Sequence, residues 1–210
     1  MRSCLRRRRS RGWTMQTLAP TPPAPFRNVL LLLNVQVGLV LDPASAIPNA
    51  SPVRENIARV LAAARRAAEH KPHIIHVRNC GEAGEPDEEG KPSWNLVLTP
   101  LAGEDVVDKK KSNAFSGTPL DEMIHPDAEI VVVGLMTEYS VKSTCKAAMA
   151  RGNTVILMHG AHGTYDHVEL ANNGLVTRAD KIVAQIEEEL DIAGAMVLDM
   201  DLLPGVFDGR

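Results

Sequence analysis

The chain has 210 residues, a formal net charge of −3 and 44% hydrophobic residues. This length suits one folded domain with a substantial core, and the charge gives no reason to expect nucleic acid as a partner of the folded part. No apolar run reaches the length that a bilayer span requires, so we predict no membrane association. Three widely spaced cysteines, Cys4, Cys80 and Cys145, fit neither a disulfide framework nor a metal site.

The N-terminal segment differs from the rest of the chain. Six arginines lie among residues 1–11, and four prolines follow among residues 20–25. Such a composition cannot bury enough apolar surface to order itself, so we predict a disordered tail over residues 1–26. The folded domain is then expected over residues 27–205, with a short tail over 206–210. We predict a cytoplasmic protein, and the basic, acid-poor start leaves mitochondrial targeting or a phosphate-binding patch open.

From residue 27 onwards, short β-branched or apolar runs alternate with helical patterns. Strands are predicted at residues 29–33, 73–77, 105–108, 129–133, 154–158 and 195–198. This alternation predicts βαβ units, and hence an α/β, Rossmann-like doubly wound fold with a mainly parallel six-stranded sheet and helices on both faces. Ligands bind such sheets at the carboxyl ends of the strands.

Local signals place the helices and one long loop. Ser51 and Pro52 predict the start of the first long helix. Gly152 predicts the end of a helix that begins near Ser140. A segment rich in glycine, glutamate and proline, residues 79–93, is too long for a simple connection and predicts a functional or mobile loop.

Four segments, in this order and spacing, resemble the isochorismatase-like cysteine hydrolases, which include nicotinamidases, N-carbamoylsarcosine amidases and isochorismatases. The segments are LLLNVQVG at 31–38, KKKSNAFSGT at 109–118, GLMTEYSV at 134–141 and AHGTYD at 161–166. The resemblance covers residues 27–200 and implies the isochorismatase-like fold. It also implies a homo-oligomer that acts on, or binds, a small molecule.

The resemblance implies a catalytic set of an aspartate after the first strand, a lysine after the third and a cysteine at the start of the helix after the fourth. These positions hold Asn34, Lys109 and Ser140 in this chain. The metal ligands of the nicotinamidase branch have no match, so we predict no metal and no cofactor. The resemblance further implies a cis peptide bond between Met136 and Thr137.

The two substitutions bear directly on activity. Asn34 cannot accept a proton, and the hydroxyl of Ser140 is far less acidic than a thiol. We therefore predict a catalytically silent or weak protein that binds a small anionic or carbonyl compound. The alternative is an active hydrolase of amides, esters or vinyl ethers, in which a neutral Lys109 activates Ser140. A non-hydrolytic enzyme that uses the same pocket is a third possibility.

The state of Lys109 is left open by the sequence. Without an aspartate at position 34, Lys109 can pair with Asp108, Asp42 or a bound anion, or it can lie open to water. It can also lose its proton, because desolvated lysines titrate low.

Six further residues are predicted to line the substrate pocket near these strand ends. For Trp94 the competing interpretation is a cap on the core, and for His162 it is a brace within its turn. Cys145 is predicted to be a small buried thiol and not a displaced nucleophile. The six predicted pocket residues are Trp94, Phe115, Met136, Thr137, Tyr139 and His162.

Overall fold

A computed structural model describes residues 24–68, 70–169 and 174–207. The predicted N-terminal tail lies outside this range except for its last three residues. The strands are β1 Phe26–Leu33, β2 His73–Asn79, β3 Asp105–Lys109, β4 Ile124–Leu135, β5 Thr154–Gly163, β6 His167–Glu169, β7 Leu175–Thr177 and β8 Met196–Leu198. Six of them form one parallel sheet in the order β3-β2-β1-β4-β5-β8, while β6 and β7 form an antiparallel hairpin. The predicted α/β fold is confirmed.

The helices are α1 Val37–Val40, α2 Ala50–Arg66, α3 Leu120–Met123, α4 Lys142–Arg151, α5 Ala179–Ile192 and α6 Leu203–Val206. Asn49, and not Ser51, precedes the first residue of α2, and the Ser51 hydroxyl donates to Glu55 instead. Gly152 ends α4 in the left-handed conformation, with a φ of 101°. In the described part of the chain, no helix combines the length and hydropathy of a membrane span.

The sheet is covered on both faces by apolar layers. In β1, Leu31 and Leu33 face the layer that α4 and α5 complete, whereas Leu30 and Leu32 face the layer of α2 and α6. Coverage on both faces explains why β1 is a continuous apolar run and does not alternate. The second layer also contains Val206 and Phe207, at the boundary where the sequence predicted a tail.

Gly134 lies where β4 passes closest to β1. Its φ is +120°, and a Cβ atom there would lie 2.0 Å from the carbonyl oxygen of Leu33. Gly103 is a matched control, because its φ is +89° but nothing lies within 4 Å of its Cβ position. Backbone strain alone should cost Gly103→Ala about 1–2 kcal/mol of unfolding free energy.

We expect Gly134→Ala to lower the free energy of unfolding by about 3–5 kcal/mol, since the clash adds to the same backbone strain. Denaturant titration of both variants, analysed with one common m-value, measures the difference between their losses of unfolding free energy. Equal losses of unfolding free energy in the two variants would show that β4 and β1 can move apart at position 134 without cost.

Candidate active site

Three predicted residues meet at the carboxyl edge of the sheet. Asn34 follows β1, Lys109 ends β3, and Ser140 lies in a π-helical turn, Thr137–Val141, between β4 and α4. The Nδ2 atom of Asn34 donates a hydrogen bond to the Oγ atom of Ser140 over 3.0 Å. The Nζ atom of Lys109 donates to the same oxygen over 3.1 Å. The three side chains therefore form one hydrogen-bonded centre.

Asn34 is buried and acts as a donor towards its neighbours. Its Nδ2 atom also donates to the carbonyl oxygen of Leu135 over 2.6 Å. Its Oδ1 atom is buried and has no hydrogen-bond partner in the described residues. The asparagine thus holds Ser140 through its amide nitrogen and leaves one acceptor unused beside the serine.

Lys109 is buried among polar groups and has no direct carboxylate partner. Its Nζ atom donates to the Oδ1 atom of Asn79 over 3.0 Å, as well as to Ser140. In the described part of the chain, no carboxylate oxygen lies within 4.0 Å of this amine. Asp108, one of the partners left open by the sequence, binds Arg78 instead.

The surroundings of Lys109 favour its neutral form. Burial lowers the pKa of its ammonium group to about 8, and the charges of Asp87 and Cys80 oppose this shift only in part. Of the outcomes that the sequence left open, the burial of Lys109 and its lowered pKa agree with a desolvated lysine that titrates low. The neutral amine is therefore the minor form at neutral pH and becomes the major form above a pH of about 8.

A cleft of about 670 Å³ opens above this centre. Met136 and Tyr139 line it, and so does the long loop over residues 79–93. The loop contributes acidic side chains to the lining, and three consecutive lysines also line the cleft. The charged residues that line the cleft are Glu82, Glu85, Asp87, Glu89, Lys109, Lys110 and Lys111.

Two aromatic residues lie elsewhere than predicted. Phe115 is buried in the core layer beneath α4, and the Arg151 guanidinium lies 4.6 Å from its ring centroid. Trp94 donates its Nε1–H to the carbonyl oxygen of Asn79, and the Arg78 guanidinium stacks on its ring at 3.5 Å. Neither ring lines the cleft, because each is used to pack its own loop onto the fold.

Thr137 and His162 form a buried network behind the cleft. The Oγ1 atom of Thr137 lies 3.0 Å from Nδ1 of His162, and Nε2 of His162 lies 3.0 Å from Glu187 on α5. Neither residue lines the cleft above Ser140, so their contact with a substrate stays a prediction. The pair braces the turn that carries Ser140 against β5 and α5.

Two further expectations concern the same turn. The cis peptide bond joins Leu135 and Met136, one residue earlier than the resemblance implied, because β4 ends at Leu135 and the chain turns there. Cys145 is fully buried on α4, and burial raises the pKa of its thiol to about 12. It is the structural thiol that the sequence predicted.

Asn79 and Asp87 also belong to this site, although neither was predicted from the sequence. Asn79 is the last residue of β2, which was predicted to end at Val77. Because ligand-binding residues were sought at the predicted strand end, Asn79, two residues further on, was not considered. Asp87 lies in the long loop, where nothing in the sequence distinguishes it from the neighbouring acids.

Residues 28–187 match the isochorismatase domain family, and the chain belongs to this family. Two streptothricin hydrolases from Streptomyces noursei are similar to it. One is 35% identical over 164 residues, which cover 75% of this chain and 63% of that protein. The other is 34% identical over 141 residues, or 65% of this chain and 50% of that protein. The chain thus spans less than two thirds of the length of either relative.

Solved structures agree with this assignment. An isochorismatase from Pseudomonas putida is 29% identical, with a TM-score of 0.72 over 86% of this chain and 92% of that one. A cysteine hydrolase from Pseudomonas syringae pv. phaseolicola has a TM-score of 0.74 over 91% of this chain and 97% of that one. The latter is 18% identical and supports the fold alone.

Proposed function

We propose that this protein hydrolyses a small amide or ester, with Ser140 as the nucleophile and Lys109 as its general base. The observation that carries the proposal is the 3.1 Å contact between the Lys109 amine and the Ser140 hydroxyl in a buried cleft. A serine needs an adjacent base, and a desolvated lysine supplies one near neutral pH. The similarity to hydrolases of the same family supports this chemistry.

The reaction proceeds in two halves. Neutral Lys109 takes the Ser140 proton as Oγ bonds to the carbonyl carbon. The oxyanion is held by backbone N–H groups of the turn over residues 137–141, other than those of Tyr139 and Val141, which donate to the Met136 carbonyl. The lysine ammonium then returns its proton to the leaving amine or alcohol, which leaves an acyl-serine. Water attacks this ester while Lys109 accepts its proton, and Ser140 regains a proton as the acid departs.

Asn34 has a binding role in this scheme. It cannot replace the carboxylate base of the family, because its amide accepts no proton. Its Nδ2 atom fixes the position of the Ser140 oxygen, and its unpartnered Oδ1 accepts a hydrogen bond from the substrate. A substrate with an N–H group next to the scissile carbonyl satisfies this acceptor.

The proposal predicts a distinctive pH dependence. Below the pKa of Lys109 the ammonium form has no lone pair, so kcat/KM should fall about tenfold per pH unit. Above a pH of about 8 the rate should level off, because the amine is then neutral. Initial rates on a panel of chromogenic small amides and esters, between about pH 6 and 9.5, measure the profile.

Ser140→Ala should abolish this activity and its labelling by a fluorophosphonate probe. Ser143→Ala is the matched control, since the Ser143 hydroxyl lies on the next helical turn and binds the Tyr139 carbonyl. A flat pH profile, or labelling that survives in Ser140→Ala, would reject the serine–lysine pair.

Binding without catalysis is the second candidate function. This candidate is favoured by the two hydrogen bonds that the Ser140 oxygen accepts, from Asn34 and from Lys109. While Lys109 is an ammonium it can only donate, so no base takes the serine proton. Saturable binding of small carboxylates, without probe labelling or turnover at pH of about 9, would select it. Homo-oligomerisation and a cytoplasmic location stay predictions, which light scattering and fractionation test.

A further inference from the structure

A chain of hydrogen bonds runs from the loop to the catalytic serine. The Nδ2 atom of Asn79 donates to Oδ2 of Asp87 over 2.8 Å. The Oδ1 atom of the same amide accepts from Lys109 Nζ over 3.0 Å, and Lys109 continues to Ser140. The order along the chain is therefore carboxylate, amide, amine and hydroxyl.

Asp87 is a buried carboxyl group that the long loop holds in place. Its side chain is only 5% exposed, and in the described part of the chain no cationic side chain lies within 4.0 Å of it. The loop backbone closes around it, because Gly81 N–H donates to the Asp87 carbonyl oxygen. A Cβ atom at Gly81 would lie 2.5 Å from Asp87 Oδ1, so the loop leaves room for this carboxylate.

We propose that Asp87, acting through Asn79, supplies the negative charge that position 34 lacks and positions Lys109 as the base for Ser140. This inference rests on the proposed hydrolase. Both residues are positioning residues, since neither touches Ser140 or the substrate carbonyl in this arrangement.

The geometry explains how Asp87 controls Lys109. Because Asp87 holds the nitrogen of the Asn79 amide, the oxygen of that amide faces the lysine. A neutral amine has two hydrogens and one lone pair. One hydrogen is engaged by the Asn79 oxygen, which directs the lone pair towards the Ser140 hydroxyl. When the amine takes the serine proton, the buried carboxylate stabilises the resulting ammonium.

Other charged or titratable groups line the same cleft as Lys109. Cys80, the residue after β2, raises the pKa of Lys109 less than Asp87 does. Lys110 and Glu89 pair with each other at 3.4 Å, and Glu82 and Glu85 also line the cleft. Tyr165 lines it as well, and burial, followed by the charge of Asp87, raises the pKa of its phenol. Of the charges that raise the pKa of Lys109, Asp87 contributes most.

Direct titration of Lys109 tests this assignment independently of turnover. Protein labelled with 13C and 15N at lysine side chains is titrated by NMR, and the Lys109 signal is identified by its loss in Lys109→Met. Asp87→Asn retains the shape of the side chain and an acceptor for Asn79. We expect it to lower the midpoint of Lys109 by about one pH unit.

Glu88→Gln is the matched control. It removes one charge from the adjacent residue and keeps the acceptor for the Gly84 N–H, so the Lys109 midpoint should stay unchanged. In the enzyme assay, the pH at which kcat/KM of Asp87→Asn reaches half its maximum should fall together with the Lys109 midpoint. The maximal kcat/KM of this variant should also be lower than that of the wild type. A purely structural role of Asp87 would lower the rate without moving either midpoint.

Asn79→Ala should lower kcat by about 10- to 100-fold with little change in KM, because the amine loses its orientation. An unmoved Lys109 midpoint in Asp87→Asn would overturn the inference even if the wild type turns over. A moved midpoint in a protein without turnover would support the Asp87–Lys109 link and reject the hydrolase. The two failures are therefore distinguishable.

Discussion

Lys109→Met is expected to lower kcat/KM at pH of about 8 by 100-fold or more, because general bases contribute about 10²–10⁴ to rates. Without the lysine, Ser140 has only Asn34 beside it, and an amide cannot take the hydroxyl proton. Chromogenic ester or amide hydrolysis measures the loss. Lys181→Met, an exposed lysine on α5, is the control and should retain wild-type rates.

The same substitution should leave the protein folded. Lys109 has no carboxylate within 4.0 Å in the described residues, so removing it breaks no direct ion pair. It does leave the Asn79 Oδ1 atom without its donor, and an unmatched buried acceptor costs about 1–3 kcal/mol of unfolding free energy. A variant that is both inactive and strongly destabilised, by denaturant titration, would contradict this account of the site.

Restoring the family residues should have the second large effect. Asn34→Asp combined with Ser140→Cys is expected to raise hydrolysis of small amides by about 10²–10⁴, the usual contribution of a general base. The carboxylate can take the thiol proton, and a thiolate is the stronger nucleophile. Rates of the double variant, both single variants and the wild type form one mutant cycle.

The single variants should be much weaker than the double variant. In Ser140→Cys alone, the new thiol lies beside Asn34 and depends on Lys109 as its only base. In Asn34→Asp alone, the new carboxylate still faces the weakly acidic hydroxyl of Ser140. We expect a double-variant gain well above the product of the single effects, since the two groups act together. A purely multiplicative gain would show that the two groups act independently, and no gain would show that the cleft does not support the family's chemistry.

Asn34→Asp also carries a structural cost. The Asn34 nitrogen donates to the Leu135 carbonyl oxygen over 2.6 Å, and a carboxylate oxygen in that position would face an acceptor. We expect this variant to lose about 1–3 kcal/mol of unfolding free energy, the cost of such an unmatched buried pair. The asparagine is therefore adapted to its site and not a neutral replacement.

The strand positions could be predicted because buried parallel strands are continuous apolar runs. Their ends could not. β5 extends from its predicted end at residue 158 to Gly163, because polar residues continue to pair with β4 after a register shift. The three-residue strands β6 and β7 are too short to give a periodic signal.

The meeting of Asn34, Lys109 and Ser140 could be predicted because each follows or ends a strand in a recognisable segment. The cleft walls could not, since they depend on how long loops fold back. Phe115 and Trp94 looked suitable as apolar walls, yet each packs on an arginine. Asp87 gave no signal, because its importance comes from burial beside Asn79 and not from its place in the sequence.

The position of β1 has a consequence for synthesis of the chain. Among the strands of the described residues it is the first made, yet it lies inside the sheet, paired with β2 on one side and β4 on the other. During translation, the edge of β1 that pairs with β4 stays unpaired until residues 124–135 have left the ribosome. An unpaired strand edge in a segment whose residues 29–33 are all apolar is prone to aggregation. We therefore expect the yield of native protein to depend on elongation rate and chaperone supply more than on the stability of the finished fold.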